Sequence, residues 1–158
     1  MIRIGQGFDI HRLEGGDGIT LGGLWIPCGH RVLAHSDGDV VLHALMDAML
    51  GSLALGDIGH FFPDTDPQYK GADSADLTRY VVKKCLNQGY SLSNLDLTIL
   101  CERPKIGPVR EAMRRCVADV LELPLDRVSI KASTMEKIGS IGREDSIAVM
   151  ASCLMRAH

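Results

Sequence analysis

The chain opens on an alternation. Ile2 and Ile4, then Phe8 and Ile10, keep the period of two that marks a strand within Met1 to Arg12, and Gly5 and Gly7 fall between them where backbone can approach closely. Gly15, Gly16, Asp17 and Gly18 turn the chain into a second strand, Ile19 to Ile26, so the two segments read as a hairpin. After His30 and a short polar loop, Ala34 to Asp39, the positions Val40, Leu42 to Met46, Met49, Leu50 and Leu53 predict a buried helix, with Ser36 or Asp37 as its N-cap and Gly56 past its end. The run Asp57 to Gly71 then loses all period. Its prolines and aspartates predict a long loop, and because Phe61, Phe62 and Tyr69 are half of the six Phe and Tyr residues, that loop reads as an ordered flap.

Period 3.6 returns with Leu77, Tyr80, Val81 and Cys85, a helix capped by Asp73 and ended by Gly89. Leu95, Leu97, Ile99 and Cys101 alternate as a strand. Pro108 suits the first turn of an amphipathic helix carrying Val109, Met113, Cys116, Val117, Val120 and Leu121. Val128, Ile130 and Ala132 alternate again, and Ile147 to Met155 is apolar almost throughout, as expected of a central strand covered on both faces. The order β-β-α-α-β-α-β-β predicts a single α/β (α+β) domain over residues 1–158: a mixed sheet with helices on one face in a ferredoxin-like βαβ arrangement. Helices on one face leave the other bare, and oligomerisation is the simplest way to cover it.

Composition narrows the function classes. A formal net charge of -3 excludes a nucleic-acid binder held by a broad basic face. The charge is uneven: through Asp73 there are 4 Lys/Arg against 10 Asp/Glu, and from Ser74 onward 13 against 10. Five of the six histidines share the acidic half, a mixture suited to a metal ion. Cys28, Cys85, Cys101, Cys116 and Cys153 form no C-x-x-C pair, and no run reaches the roughly 18 apolar residues of a membrane span. A soluble cytoplasmic protein, bacterial or already processed, with reduced thiols and no membrane partner, is the expectation.

Asp9 and His11 are two apart on a strand and so share a face. His43 on the next helix could complete an Asp-His-His set with an open fourth position, the composition of a catalytic zinc-type site. Asp47, one turn beyond, could fix the His43 tautomer. D-x-H is also a frequent tripeptide, and His43 could equally be a satisfied core histidine. Asp57, His60, Asp64 and Asp66 read either as ligand-facing groups or as turn caps beside Pro63 and Pro67. His35 and Ser36 stand before a helix N-terminus, where an anion is favoured. In the basic half, Glu102-Arg103-Pro104-Lys105 and Lys131 to Lys137 close two strands, and strand ends are where α/β sheets bind ligands. Ser133 and Thr134 suit a phosphate; Glu136 among them would need a cation. Ordinary surface charge explains the same residues. No P-loop or G-x-G-x-x-G fingerprint occurs.

The assembled segments GQGFDIH (Gly5 to His11), LAHSDGDVVLHALMDAMLG (Leu33 to Gly51), ALGDIGHFFPDTDPQYKGADS (Ala54 to Ser74) and KASTMEKIGSIGR (Lys131 to Arg143) resemble the 2-C-methyl-D-erythritol 2,4-cyclodiphosphate synthase family of the non-mevalonate isoprenoid pathway. The resemblance covers nearly the whole chain. It implies a homotrimer with interfacial active sites, and a lyase that cyclises 4-diphosphocytidyl-2-C-methyl-D-erythritol 2-phosphate with release of CMP. It implies a zinc-type ion on Asp9, His11 and His43, and a magnesium- or manganese-type ion on Glu136. His35 and Thr134 match catalytic positions that stabilise the transition state. Asp9, Ile10, His11, His35 and Ser36 match substrate contacts; Asp57, Ile58, Gly59 and Phe62, Pro63, Asp64, Thr65, Asp66 match the methylerythritol-binding loop. The cytidine pocket maps onto Cys101, Glu102, Arg103, Pro104, Lys105, Ile106 and Gly107, with Ser133, Thr134, Met135 and Glu136. Ser140 and Arg143 match positions facing the trimer axis, where some members carry phenylalanine in place of Ser140.

Two rival readings use the same residues. A metal-dependent phosphohydrolase would need a positioned general base, for which His60 is the histidine left over. A non-catalytic trimer binding cytidine nucleotides or isoprenoid diphosphates would keep the pocket without turnover.

Overall fold

The computed structural model describes Met1 to His158. Five strands form one mixed sheet: β1 (Ile2–Gly15), β4 (His30–Leu33), β5 (Tyr90–Leu100), β6 (Val128–Ser133) and β7 (Ser146–Ala157), in the order β4-β1-β7-β5-β6. β7 lies at the centre, antiparallel to β1 and to β5, while β5 and β6 run parallel. Parallel neighbours need a crossover, and helix α4 (Arg110–Leu121) supplies it, giving the expected βαβ unit. Helices α1 (Val40–Ser52), α3 (Ser74–Asn87) and α4 pack on one face, around a core of 32 buried residues. No helix is long and apolar enough to cross a membrane.

Why α1 can lie so close to the sheet is written at Gly5 and Gly7. Both are buried on the face of β1 that meets α1, and a Cβ on either would collide with the helix backbone at Ala48 or Ala44. Nearly every side chain of α1 is buried, including His43 at 8% exposure, because the sheet covers one side and α3 the other.

The other face of the sheet is bare. Ile2, Ile4, Phe8 and Ile10 of β1 are 63%, 76%, 56% and 45% exposed, and Met150 of β7 beside them is 42% exposed. The expectation that Ile147 to Met155 is covered on both faces therefore fails within one chain: Met150 and Ser152 point outward while Ile147, Val149, Ala151 and Cys153 point into the core. Hydrophobic composition alone does not distinguish a strand sealed by helices from one with an open apolar face.

Three local expectations change. Ile19 to Ile26 does not pair with β1; it folds on itself as β2 (Gly18–Leu21) and β3 (Leu24–Pro27), a separate two-stranded sheet, and β1 takes β4 as its neighbour. Gly22 and Gly23, both at positive φ (61° and 79°), are the reason, since a two-residue hairpin turn of this hand asks for that pair. Within Asp57 to Gly71 the chain is mostly loop but makes helix α2 (Ile58–Phe61) and a 3-10 turn (Pro67–Tyr69), capped by Asp57 and Asp66. The flap is ordered by aromatic packing, with Phe62 against Tyr69 at 5.3 Å and against Tyr80 of α3 at 5.7 Å between ring centroids.

The N-cap of α1 is Asp39, not Ser36 or Asp37. Asp39 is fully buried, and its carboxylate accepts N–H bonds from Gly22 (2.8 Å), Gly23 (2.7 Å) and Leu42 (3.1 Å), tying the β2–β3 turn to the start of α1. Burial, only partly offset by those three bonds, pushes its carboxyl up to about 6 from 3.8. A folded-state value above the unfolded one means that the stability contributed by its protonation is present below the unfolded value and is lost as the pH rises through about 6. Asp39→Ala strands the amides beneath it and is expected to cost about 3 kcal/mol in urea unfolding. A loss below about 1 kcal/mol would mean that water replaces the carboxylate there.

Candidate active site

β1 and α1 meet at three side chains. Asp9 and His11 project from the same face of β1, and His43 reaches them from the first turns of α1. Their ligand atoms all lie within 4.8 Å of one another. Asp9 Oδ2 is 3.1 Å from His43 Nδ1 and 3.5 Å from His11 Nε2.

Each group is oriented by the bond its other end makes. His11 Nδ1 donates to the Ile10 carbonyl at 2.9 Å, which leaves Nε2 as the bare nitrogen, and Nε2 is buried without a hydrogen-bond partner. Asp9 Oδ1 accepts from the Ile10 amide at 2.9 Å, which aims Oδ2 at the histidines. Burial opposes charge on His43, but the hydrogen bond and field of Asp9, with Asp39 and Asp37 behind it, outweigh it and hold the imidazole above its ordinary value. An unpartnered buried nitrogen facing a carboxylate and a second imidazole fits a divalent ion with N and O ligands and an open position. The expected triad is therefore assembled.

Asp47 does not do what its spacing suggests. Its carboxylate accepts from the Ile58 amide at 2.8 Å and so anchors the flap to α1, and burial raises its pKa. His43 Nε2 instead faces Ser74 and Ser36.

The triad lies in the wall of a cavity of about 490 Å³. Asp9, His11, His35, Ser36, His43, Ile58, Gly59, Phe62 and Asp64 line it, all named from the sequence, together with Leu33, Ala34, Met46, Tyr69 and Leu77, which were not. Leu33 comes from β4, Ala34 from the loop after it, Met46 from α1, Tyr69 from the 3-10 turn of the flap and Leu77 from α3, and only the folded chain brings them together. Asp57 and Asp66 do not line the cavity; they cap α2 and the 3-10 turn, the turn-cap alternative noted above. Pro63 and Thr65 also lie outside its lining, and His60 is exposed with its ring against Phe61. The left-over base of the hydrolase reading is thus not in the cavity.

A second cavity, of about 320 Å³, is lined by Cys101, Glu102, Pro104, Lys105, Ile106, Gly107, Ser133 and Thr134, with Pro108 and Ala132. Glu102 shapes its rim by accepting from the amides of Met135 (3.0 Å) and Lys137 (3.3 Å). Arg103 turns out to Glu144, 3.6 Å away, and neither it nor Met135 or Glu136 lines this cavity. Ile10, Ser140 and Arg143 line a third cavity, of about 600 Å³, beside His11. The first two cavities share no residue, and Glu136 is exposed and outside the triad's cluster.

Comparison with known proteins decides the lineage: the model of the YgbB family matches residues 2–156. The chain belongs to the YgbB family. A 2-C-methyl-D-erythritol 2,4-cyclodiphosphate synthase of Marinobacter nauticus is 54% identical over 156 residues, covering 99% of this chain and 98% of that one. The synthase of Acinetobacter baumannii is 54% identical over 154 residues, with 98% and 96% covered. A solved 2C-methyl-D-erythritol-2,4-cyclodiphosphate synthase in its CDP-bound form has a TM-score of 0.90 at 39% identity, covering 98% of this chain and 100% of that one. The YgbB assignment thus spans both the triad on β1 and α1 and the pocket at the ends of β5 and β6.

Proposed function

We propose that this chain cyclises 4-diphosphocytidyl-2-C-methyl-D-erythritol 2-phosphate to 2-C-methyl-D-erythritol 2,4-cyclodiphosphate with release of CMP. The observation that carries the reading is the convergence of Asp9, His11 and His43 in a cavity lined in part by the flap, in a chain 54% identical over nearly its whole length to synthases of that name. A 2-phosphate oxygen attacks the β-phosphorus, a new P–O bond closes the ring, and the bond from that phosphorus to the CMP oxygen breaks. Nucleophile and leaving group are both phosphates, so a strong general base is unnecessary. The work is folding the substrate back on itself and meeting charge as it develops.

Asp9, His11 and His43 would hold a zinc-type ion, and Glu136 a magnesium- or manganese-type one; such ions supply charge neutralisation and polarise phosphate oxygens. His35 and Ser36 stand in the same cavity, placed to donate to a phosphate oxygen. Flap residues Ile58, Gly59, Phe62 and Asp64 enclose the sugar alcohol, with the Asp64 carboxylate able to accept from a hydroxyl. The pocket of Cys101, Glu102, Pro104 to Gly107, Ser133 and Thr134 takes the cytidine end, in keeping with the CDP bound by the solved relative.

The two cavities of one chain share no residue, so a second copy completes the site in this reading. The bare apolar face of β1 and β7 and the wholly exposed stretch Lys131 to Ser140 support a homotrimer in which the cytidine pocket of one subunit faces the triad of the next. Free cysteines throughout agree with a cytoplasmic setting.

Phosphorus NMR of the protein with the substrate and magnesium tests the reaction. Stoichiometric CMP with a coupled pair of cyclic diphosphate resonances, lost on chelation, is the expected result; free phosphate would replace the cyclase with a hydrolase, and an unchanged substrate with metal bound would leave a binding protein. Thr134→Val is expected to slow cyclisation at least about tenfold more than it weakens CDP binding, as for a group whose bond strengthens in the transition state. Equal losses in kcat and CDP affinity would reduce Thr134 to a ground-state contact.

A further inference from the structure

Nε2 of His43 points away from the triad, into the protein, where it lies 3.0 Å from Ser74 Oγ and 3.2 Å from Ser36 Oγ. The two hydroxyls are not equivalent. Ser74 is fully buried at the first position of α3; its hydroxyl donates to Asp37 Oδ1 at 2.5 Å, and its amide donates to Asp37 Oδ2 at 2.9 Å. A serine has one proton, and here the carboxylate holds it, so toward His43 Ser74 presents only a lone pair. It can receive an N–H and cannot give one. Ser36 Oγ accepts from the Gly38 amide at 3.2 Å and has no fixed acceptor for its own proton, so it can serve either tautomer of the ring.

We propose that Ser74, held by Asp37, is the positioning residue of the metal site: it accepts the Nε2 proton of His43 and so, once an ion displaces the Nδ1–H bond to Asp9, fixes the tautomer whose bare Nδ1 binds that ion. The inference rests on the metal reading of the triad. Asp47, which sequence spacing nominates for this task, is committed to the Ile58 amide. The chain Asp37, Ser74, His43 joins the loop before α1, the start of α3 and the body of α1, positions 37 and 31 residues apart along the sequence. Metal-ligating histidines ordinarily donate their second nitrogen to a carboxylate or carbonyl, and here a buried hydroxyl stands between ring and carboxylate.

The test is zinc affinity of the full-length protein, measured by competition with a chromophoric chelator, together with histidine nitrogen-proton correlation spectra of the zinc-loaded form. In wild type, His43 is expected to carry its proton on Nε2 and bind zinc through Nδ1. Ser74→Ala is expected to weaken zinc binding about 10- to 100-fold, whereas Ser36→Ala changes it by less than about threefold and Ser74→Thr, which keeps the hydroxyl, recovers most of the loss. A His43 proton on Nδ1 in the loaded wild type would overturn the proposal. So would a Ser74→Ala protein that folds and binds zinc within about twofold of wild type. Should Ser74→Ala not fold, the wild-type spectrum decides alone. A wild type that takes up no zinc would sink the metal reading separately; in its doubly protonated ring, whose Nδ1–H faces Asp9, an Nε2–H protected from solvent exchange and losing that protection in Ser74→Ala would still uphold the acceptor role of Ser74, and one that exchanges freely in the wild type would end it.

Discussion

Replacing His43 with alanine is expected to strip zinc from the protein and end turnover while leaving the fold in place. The argument is one of ligand number. Asp9 and His11 alone leave two donors, and the convergent geometry of Oδ2, Nε2 and Nδ1 depends on the atom that α1 brings to β1. Loss of a whole charge-neutralising element from phosphoryl transfer is expected to lower kcat about 1,000-fold or more. Stability should respond far less, by about 1–3 kcal/mol, because the mutation removes a buried polar ring together with its bonds to Asp9 and Ser74. Metal analysis after dialysis, activity and sedimentation on one preparation separate these effects. Zinc content equal to wild type would remove His43 from the ligand set, and a monomer would mean that the site and the assembly are coupled.

The parts of this molecule that were legible in its sequence are those set by neighbours along the chain. D-x-H on a strand puts two ligands on one face whatever the tertiary structure, the flap announces itself by Pro and Asp without period, and the β5-α4-β6 unit follows from a change of period from 2 to 3.6 and back. What was missed depends on long-range contact. Nothing near Asp47 says that the Ile58 amide, 11 residues on, will claim its carboxylate and leave His43 to Ser74. Likewise Asp39 rather than Ser36 or Asp37 caps α1 because the Gly22–Gly23 turn folds over it, and that turn exists because the segment Ile19 to Ile26 closes on itself. The reading of β7 as doubly covered shows a third kind of limit: an apolar strand with a bare face in one chain has the same composition as one sealed between layers.

Gly7→Ala and Gly51→Ala are the same chemical change and are expected to have opposite effects. A Cβ at Gly7 would overlap the carbonyl oxygen of Ala44 and stand 2.8 Å from the amide nitrogen of Ala48, both backbone atoms of α1 that no rotamer change can move aside. The helix must lift off β1, which opens the core beneath it and draws His43 away from Asp9 and His11, two and four residues along the same strand. Gly7→Ala should therefore cost at least about 3 kcal/mol in urea unfolding, a large share of the 5–15 kcal/mol typical of a folded domain, and weaken zinc binding as well. Gly51 lies in the last turn of α1, exposed, with nothing within 4 Å of an added Cβ. There alanine only removes conformational freedom from the unfolded chain, and a gain of about 0.4–1 kcal/mol with unchanged zinc affinity is expected. The pair isolates the cause. If Gly7→Ala proved as mild as Gly51→Ala, close approach of α1 to the sheet would not be what holds the triad together, and the convergence of Asp9, His11 and His43 would have to depend on the hydrogen bonds around Asp39 and Ser74 instead.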